Sequence, residues 1–247
     1  MRFAAVVFDC DSTLTAIEGI DELAADRHEQ VAALTTAAMQ GAVPLEAVYG
    51  RRLELIRPNR GRVEALGRRY VQEMVPDAAE LVRSLLAEDI GVRILSGGLR
   101  PAVLAVAGAL GVDAAAVAAV DVAFDDAGEY AGFDAASPLA RSGGKRDILE
   151  LWRRDIDGPV MMVGDGVTDL EAAAAADLFV AYAGVVEREA VVGAAGVVLR
   201  AASLSPVFAL ALGGERPRSV SLQDFHDRGL ALLEERYRPH SSSYPNE

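Results

Sequence analysis

Cysteine is almost missing from this chain: Cys10 is the only one, so no intrachain disulfide can form and a reducing compartment is the natural setting. Histidine is scarce as well. His28, His226 and His240 are scattered and share no ligand-like spacing with each other or with Cys10, which argues against a zinc site. No apolar stretch is long enough to span a bilayer. The short apolar run at residues 3–8 is interrupted by Asp9 and Asp11, with no small-residue cleavage site after it, so no signal peptide is expected and the cytoplasm is the expected compartment. Positive charge is in short supply too, with 24 Lys and Arg against 37 Asp and Glu, a formal net charge of -13 and a pI near 4.7. Nucleic-acid binding needs clustered cations that neutralise phosphates, so that class of partner is not expected. A small anionic substrate stays open, because a divalent cation with one lysine and one arginine can reverse the field inside a pocket of an acidic protein.

What is present suits a folded enzyme-sized domain. The 247 residues are 51% hydrophobic and 25% charged, enough for one substantial core with an insertion or a small second domain. The apolar run at 3–8 reads as a buried strand and leads straight into Asp9-Cys10-Asp11-Ser12-Thr13. An Asp-x-Asp pair at the carboxyl end of a strand projects into the crevice where open α/β sheets bind ligands. Taken alone, the pentapeptide reads equally well as an Asp-rich turn capped by Ser12 and Thr13. Cys10, between the carboxylates, points to the opposite face and reads as a small core residue.

From Thr13 to about residue 75 the pattern is helical, with helices expected at 19–25, 29–39, 45–56 and 62–74, punctuated by Gly41, Pro44, Pro58 and Gly61. Helix and strand then alternate. A helix opens at Pro76-Asp77, a strand over 92–95 ends at Ser96-Gly97-Gly98, a helix covers 100–110, and residues 120–133 read as a β-hairpin flap around Asp125 to Gly128. Further on, helix 145–154 precedes strand 160–163. That strand ends at Gly164-Asp165-Gly166-Val167-Thr168-Asp169 before helix 170–175, strand 178–181, helix 187–192 and strand 197–199. Repeated βα units imply a doubly wound parallel sheet, an α/β fold, with a small helical cap domain inserted after the first strand. The expected division is a core of residues 1–14 and 76–215, a cap of 15–75, a C-terminal helical extension of 216–237 and a disordered tail of 238–247. In the extension Val220, Leu222, Phe225, Leu230, Leu233 and Tyr237 are expected to line one helix face that docks on the core.

Four loops thus converge: Asp9/Asp11, Ser96-Gly97-Gly98, Lys145, and Asp165/Asp169. Phosphoryl transfer needs a nucleophile, a counter-charge for the equatorial oxygens and a proton donor for the leaving oxygen, and these loops offer each part. Asp9 and Asp165 suit a hard cation such as Mg²⁺. The order and spacing of these motifs resemble the haloacid dehalogenase-like phosphohydrolase superfamily over roughly residues 3–212. The resemblance implies that Asp9 is a nucleophile forming an aspartyl-phosphate and that Asp11 is the acid and base. It further implies that Mg²⁺ is held by Asp9, Asp165 and the backbone carbonyl of Asp11, with Asp169 supporting the metal. Ser96, the Gly97 N–H and Lys145 would then contact the phosphoryl group.

Residues 18–24, Ala38-Met39-Gln40-Gly41, Val43-Pro44 and Arg52-Leu53 match the cap pattern of the phosphoserine phosphatase family, and residues 128–133 resemble its flap. That narrower resemblance implies hydrolysis of O-phospho-L-serine to serine and phosphate, as in serine biosynthesis. Glu18 would bind the ammonium, Arg52 the carboxylate and Met39 the substrate stem, with Thr168 also at the substrate. Leu99 departs from the pattern, where an aromatic is usual. The alternatives are a phosphotransferase to homoserine, a phosphatase for another small metabolite, or a non-catalytic relative that binds phosphate and metal. A monomer or a homodimer is expected.

Overall fold

The computed structural model describes residues 1–24, 27–39 and 42–234. The chain opens with β1 (Ala5–Phe8), all four residues of which are buried, then passes through α1 (Gly19–Glu22), α2 (His28–Met39), α3 (Leu45–Ile56) and α4 (Arg60–Gln72). It continues with α5 (Ala78–Ala87), β2 (Gly91–Leu99), α6 (Arg100–Leu110), β3 (Val117–Val120) and the pair β4 (Val122–Phe124) and β5 (Tyr130–Phe133). After these come α7 (Gly144–Arg153), β6 (Val160–Gly164), α8 (Val167–Ala172), β7 (Leu178–Tyr182), α9 (Glu189–Val192), β8 (Val197–Leu199), α10 (Ser205–Ala211) and α11 (Gln223–Glu234).

Six strands form one sheet in the order β3-β2-β1-β6-β7-β8, and every pairing in it is parallel. Helices covering both faces explain why β1 and β6 are continuous apolar runs instead of alternating ones. The chain proceeds from β1 to β2 on one side and later returns to β6 on the other, so the strand order reverses at β1. Carboxyl ends of strands flanking such a switch point form a natural crevice. Asp9 follows β1, Asp165 follows β6, and Ser96 lies toward the end of β2.

The four helices α1 to α4 leave the sheet after β1 and come back beside their point of departure. Thr15 and Met74 form an antiparallel bridge, flanked by Ala16 N–H to Glu73 O at 2.8 Å and Val75 N–H to Leu14 O at 3.0 Å. The hairpin β4–β5 forms a separate two-stranded sheet and packs on α3 and α4: Tyr49 and Phe133 stack at 5.3 Å between centroids, and Arg60 N–H donates to Gly128 O at 2.9 Å. Helix α4 in turn lies tight against α6, since a Cβ on Gly67 would stand 3.0 Å from that of Ala105.

Several boundaries differ from the expected ones for physical reasons. The first helix stops at Glu22, and Ala25 lies outside the described residues; the fourth runs from Arg60 to Gln72, capped by the Asn59 side chain on Arg62 N–H at 3.0 Å. Strand β2 does not end at Leu95. It runs through Ser96-Gly97-Gly98 to Leu99, which is buried, and pairs with the unanticipated edge strand β3 across a register shift. Helix α8 starts earlier, at Val167, and gives way to a 3-10 turn over Ala173–Ala175, while the helix expected at 187–192 is confined to Glu189–Val192. Helix α10 was not anticipated.

In the C-terminal segment Phe225 is buried against Phe208 at 5.6 Å, and Leu222 and Leu233 pack partly against the core. Val220 instead sits in a 3-10 turn at 89% exposure, and Leu230 is exposed at 36%, so the expected face is narrower. Tyr237 and the 238–247 tail lie outside the described residues. Helices α10 and α11 approach so closely that a Cβ on Gly229 would fall 2.3 Å from Ser205 O. Gly229→Ala therefore forces the two helices apart and is expected to lower stability by about 1–3 kcal/mol in urea unfolding; an unchanged midpoint would contradict this packing.

Candidate active site

Asp9 still belongs to the sheet, its N–H donating to Val163 O at 2.9 Å, while its carboxylate turns into the crevice. Asp9 Oδ1 accepts from Cys10 N–H at 2.7 Å and lies 2.8 Å from Lys145 Nζ. The same ammonium donates to Asp169 Oδ1 at 2.7 Å, and Asp169 Oδ2 accepts from Gly166 N–H at 3.0 Å across the first turn of α8. One buried cation thus sits between two carboxylates from separate elements. Its place depends on Gly144, where a Cβ would lie 1.7 Å from Pro138 O, so only glycine lets α7 start this close to the preceding turn.

Beyond Cys10 the chain turns sharply, with Ser12 in the left-handed region at φ 52°, a strained conformation for a residue with a side chain. The turn aims three side chains. Ser12 Oγ donates to Glu18 Oε1 at 2.7 Å, Thr13 Oγ1 donates to Asp165 Oδ1 at 3.1 Å, and Asp11 faces Ser96, whose Oγ is 3.5 Å from Asp11 Oδ2. Asp11 Oδ1 accepts from Gly19 N–H at 2.6 Å and from the Tyr70 hydroxyl. Ser96 Oγ is itself fixed by Gly98 N–H at 2.9 Å, and Gly97 O accepts from Tyr49 at 2.7 Å.

These groups border one cavity. Asp9, Asp11, Gly97, Lys145, Asp165 and Thr168 line it together with Glu18 and Arg52 from the helical segment. Ser96 and Asp169 lie behind that lining, against Asp11 and Lys145. Met39 closes α2, and its side chain is not among those described. Arg52 is 3% exposed; its Nη1 donates to Thr35 Oγ1 at 3.0 Å, its guanidinium stands 5.4 Å from the Tyr49 ring centroid, and its buried Nε has no partner among the described residues. An unpartnered buried donor is costly unless something accepts from it.

Burial, reinforced by Asp169, holds the Asp9 carboxyl well above the ordinary carboxylate range, with Lys145 opposing. Asp11 is pushed up to about 6 by burial and by the Glu18 charge, against the hydrogen bonds from Tyr70 and Gly19. Asp165 is likewise raised by burial, with Arg188 opposing. Burial disfavours the Lys145 ammonium, but Asp169 and Asp9 outweigh it and raise its pKa. Carboxylates therefore outnumber cations in a desolvated site. Asp9, Asp165 and Asp169 each place an oxygen within 4.8 Å of the others, a hard-oxygen set able to hold a metal ion. Asp169 is held by Lys145 and Gly166, and Asp165 by Thr13 and Arg188.

A family model for haloacid dehalogenase-like hydrolases matches residues 3–177. The chain belongs to that family. It is 42% identical over 192 residues to the chloroplastic phosphoserine phosphatase of Arabidopsis thaliana, a stretch covering 76% of this chain and 65% of that protein. Against the phosphoserine phosphatase of Bos taurus it is 41% identical over 190 residues, covering 76% of this chain and 84% of the other. Among solved structures it is similar to a phosphoserine phosphohydrolase-like protein from Francisella tularensis, with a TM-score of 0.74, 25% identity, and coverage of 81% of this chain and 96% of that one.

This haloacid dehalogenase-like hydrolase also brings in residues that the sequence reading passed over. Arg188, just before α9, pairs with Asp165 and donates to Glu18 Oε1 at 2.8 Å, so a single guanidinium joins the sheet end to the helical segment. Glu18 Oε2 has no partner among the described residues. Tyr49, Thr35, Asp21 and Arg141 line the cavity as well. Lys145, already named from its place opening a helix, is also the chain's only lysine.

The raised Asp11 pKa has a consequence for stability in the absence of divalent cation. Between roughly pH 4 and 6 the folded protein keeps a proton that the unfolded chain has released, so this group's contribution falls as pH rises through that window. Asp11→Asn keeps the Oδ1 acceptor and removes the ionisation. The variant is expected to be more stable than wild type at pH 7.5, by on the order of 2–3 kcal/mol, with the gap closing toward pH 4 in thermal or urea unfolding; a pH-independent gap would contradict it.

Proposed function

We propose that this hydrolase is a Mg²⁺-dependent phosphomonoesterase acting on O-phospho-L-serine, releasing serine and phosphate through an aspartyl-phosphate on Asp9. The observation that carries the reading is the shared cavity. It has the Asp9, Asp11 and Lys145 cluster together with Arg52, a buried guanidinium whose Nε lacks an acceptor among the described residues. A substrate with phosphate and carboxylate on one short stem answers both. The identity to the two phosphoserine phosphatases supports the same choice.

In this reading an Asp9 oxygen bonds to phosphorus as the ester P–O bond breaks, and Asp11 gives its proton to the departing oxygen. Asp11, then a carboxylate, takes a proton from the water that opens the acyl phosphate. Lys145 and the Gly97 N–H neutralise the transferring oxygens, and Ser96 orients there beside Asp11. Mg²⁺ would be held by Asp9, Asp165 and the Asp11 carbonyl, with Asp169 supporting the set, and would offset phosphate charge. Arg52 binds the substrate carboxylate as a planar fork, which suits arginine better than lysine. Glu18 takes the ammonium through its free oxygen, Thr168 borders the same space, and Met39 contributes the stem contact. Residues 15–75 serve as a cap domain over the core of 1–14 and 76–215, with 216–237 an extension whose described part, to Glu234, packs on that core. The single buried Cys10 keeps the cytoplasm as the proposed compartment.

Asp9→Asn should lower phosphoserine turnover by at least about 10³-fold, since the replacement amide is no nucleophile; activity within tenfold of wild type would remove Asp9 from that role. Arg52→Ala should raise KM for phosphoserine roughly 10–100-fold, while leaving p-nitrophenyl phosphate and phosphoethanolamine, which lack a carboxylate, within about threefold. Equal losses on all three esters would end the carboxylate assignment and favour another small phosphate ester.

A further inference from the structure

Two donors converge on one oxygen of Asp11 and leave the other differently placed. Oδ1 accepts from Gly19 N–H at 2.6 Å and from the buried Tyr70 hydroxyl, whereas Oδ2 faces Ser96 Oγ at 3.5 Å. An oxygen that accepts two N–H or O–H bonds has no room for a proton of its own, so a protonated Asp11 carries it on Oδ2.

The surroundings keep both halves of this arrangement in place. Tyr70 is 0% exposed and lies one turn beyond Gly67, through which α4 packs on α6; its position is fixed to the helix that follows β2. Gly19 is the floor beneath the phenol, because a Cβ there would stand 1.8 Å from the Tyr70 oxygen and 3.2 Å from Asp11 Oδ1. Gly98 clears the other side, where a Cβ would lie 3.0 Å from Asp11 Oδ2 and 3.1 Å from Ser96 Oγ. Glycine is thus required beneath the phenol, and on the other flank it leaves Asp11 and Ser96 undisplaced.

We propose that Tyr70 is a positioning residue for Asp11: with the Gly19 N–H it pins Oδ1, fixes the carboxyl plane, and makes Oδ2 the oxygen that protonates the leaving group. The inference rests on the phosphomonoesterase reading. In the step it serves, a bond forms between an Asp9 oxygen and phosphorus, the ester P–O bond breaks with its electron pair on the departing oxygen, and that oxygen takes the proton from Asp11 Oδ2. Tyr70 keeps its own proton throughout.

A residue acting only through the acid should matter in proportion to the leaving group's need for a proton. Serine is a poor leaving group without one, and p-nitrophenolate needs none. The value of kcat/KM reports steps only through departure of the leaving group, so it excludes the later water attack that both esters share. Tyr70→Phe is expected to lower kcat/KM for phosphoserine about 10–100-fold through kcat, with KM near wild type, and to change that for p-nitrophenyl phosphate by less than about threefold.

If Tyr70→Phe does not fold, as judged by its melting transition, Gly19→Ala provides the same readout, because its Cβ must drive the phenol off Asp11. Losses equal on both esters, or absent on both, overturn the assignment of Tyr70 while wild-type activity leaves the phosphatase reading intact. Wild-type protein that cleaves neither ester overturns the phosphatase reading and this inference with it.

Discussion

The site is organised around a buried ammonium. Lys145 lies 2.8 Å from Asp9 and 2.7 Å from Asp169, and without it two desolvated carboxylates would face each other with no cation between them. Breaking a buried pair by removing one partner typically costs about 3–5 kcal/mol, because the remaining charge cannot return to water. The ammonium also opposes the rise in the Asp9 pKa that burial and the neighbouring acids produce. Gly144 belongs to the same constraint, because the close start of α7 sets where the ammonium falls.

The connections between the sheet and helices α1 to α4 are of two kinds. Near the chain's crossing, α4 is seated on α6 through small residues, and the Thr15–Met74 bridge ties the two linking segments together. Around the cavity mouth the ties are polar: Ser142 Oγ accepts from Leu45 N–H at 3.2 Å and donates to Glu46 at 2.9 Å, Tyr49 reaches Gly97 O, and Arg188 reaches Glu18. Packed small residues resist displacement, whereas individual hydrogen bonds exchange readily with water at a net worth of about 1 kcal/mol each. Such a division of strong and weak contacts suits a segment that pivots at one end and opens at the other.

Much of this was legible because the sheet is parallel and its interior strands are short apolar runs with acidic or glycine-rich residues at one end. The edge strand β3 escaped notice because its alanine-rich segment has no alternation, and the true end of β2 was hidden by Ser96-Gly97-Gly98, whose small side chains read as a turn while their backbone continues the ladder. The expected C-terminal face was too wide because a 3-10 turn at Val220–Leu222 breaks the helical phase before α11 begins. Within the site, residues on the strand-end motifs could be read from order and spacing. Tyr70, Thr35 and Arg188 could not, since each arrives from a distant segment where an ordinary helix or loop residue looks the same until the chain is folded.

The scarcity of lysine has a chemical consequence outside catalysis. Apart from Lys145, every basic side chain is a guanidinium or an imidazole, and Lys145 is only 5% exposed. Folded, the molecule therefore presents no side-chain amine on its outer surface for acylating or aldehyde reagents, and its one side-chain primary amine lies in the cavity wall against Asp9. Modification of that nitrogen by such a reagent is a direct report that the interior of the site has become accessible.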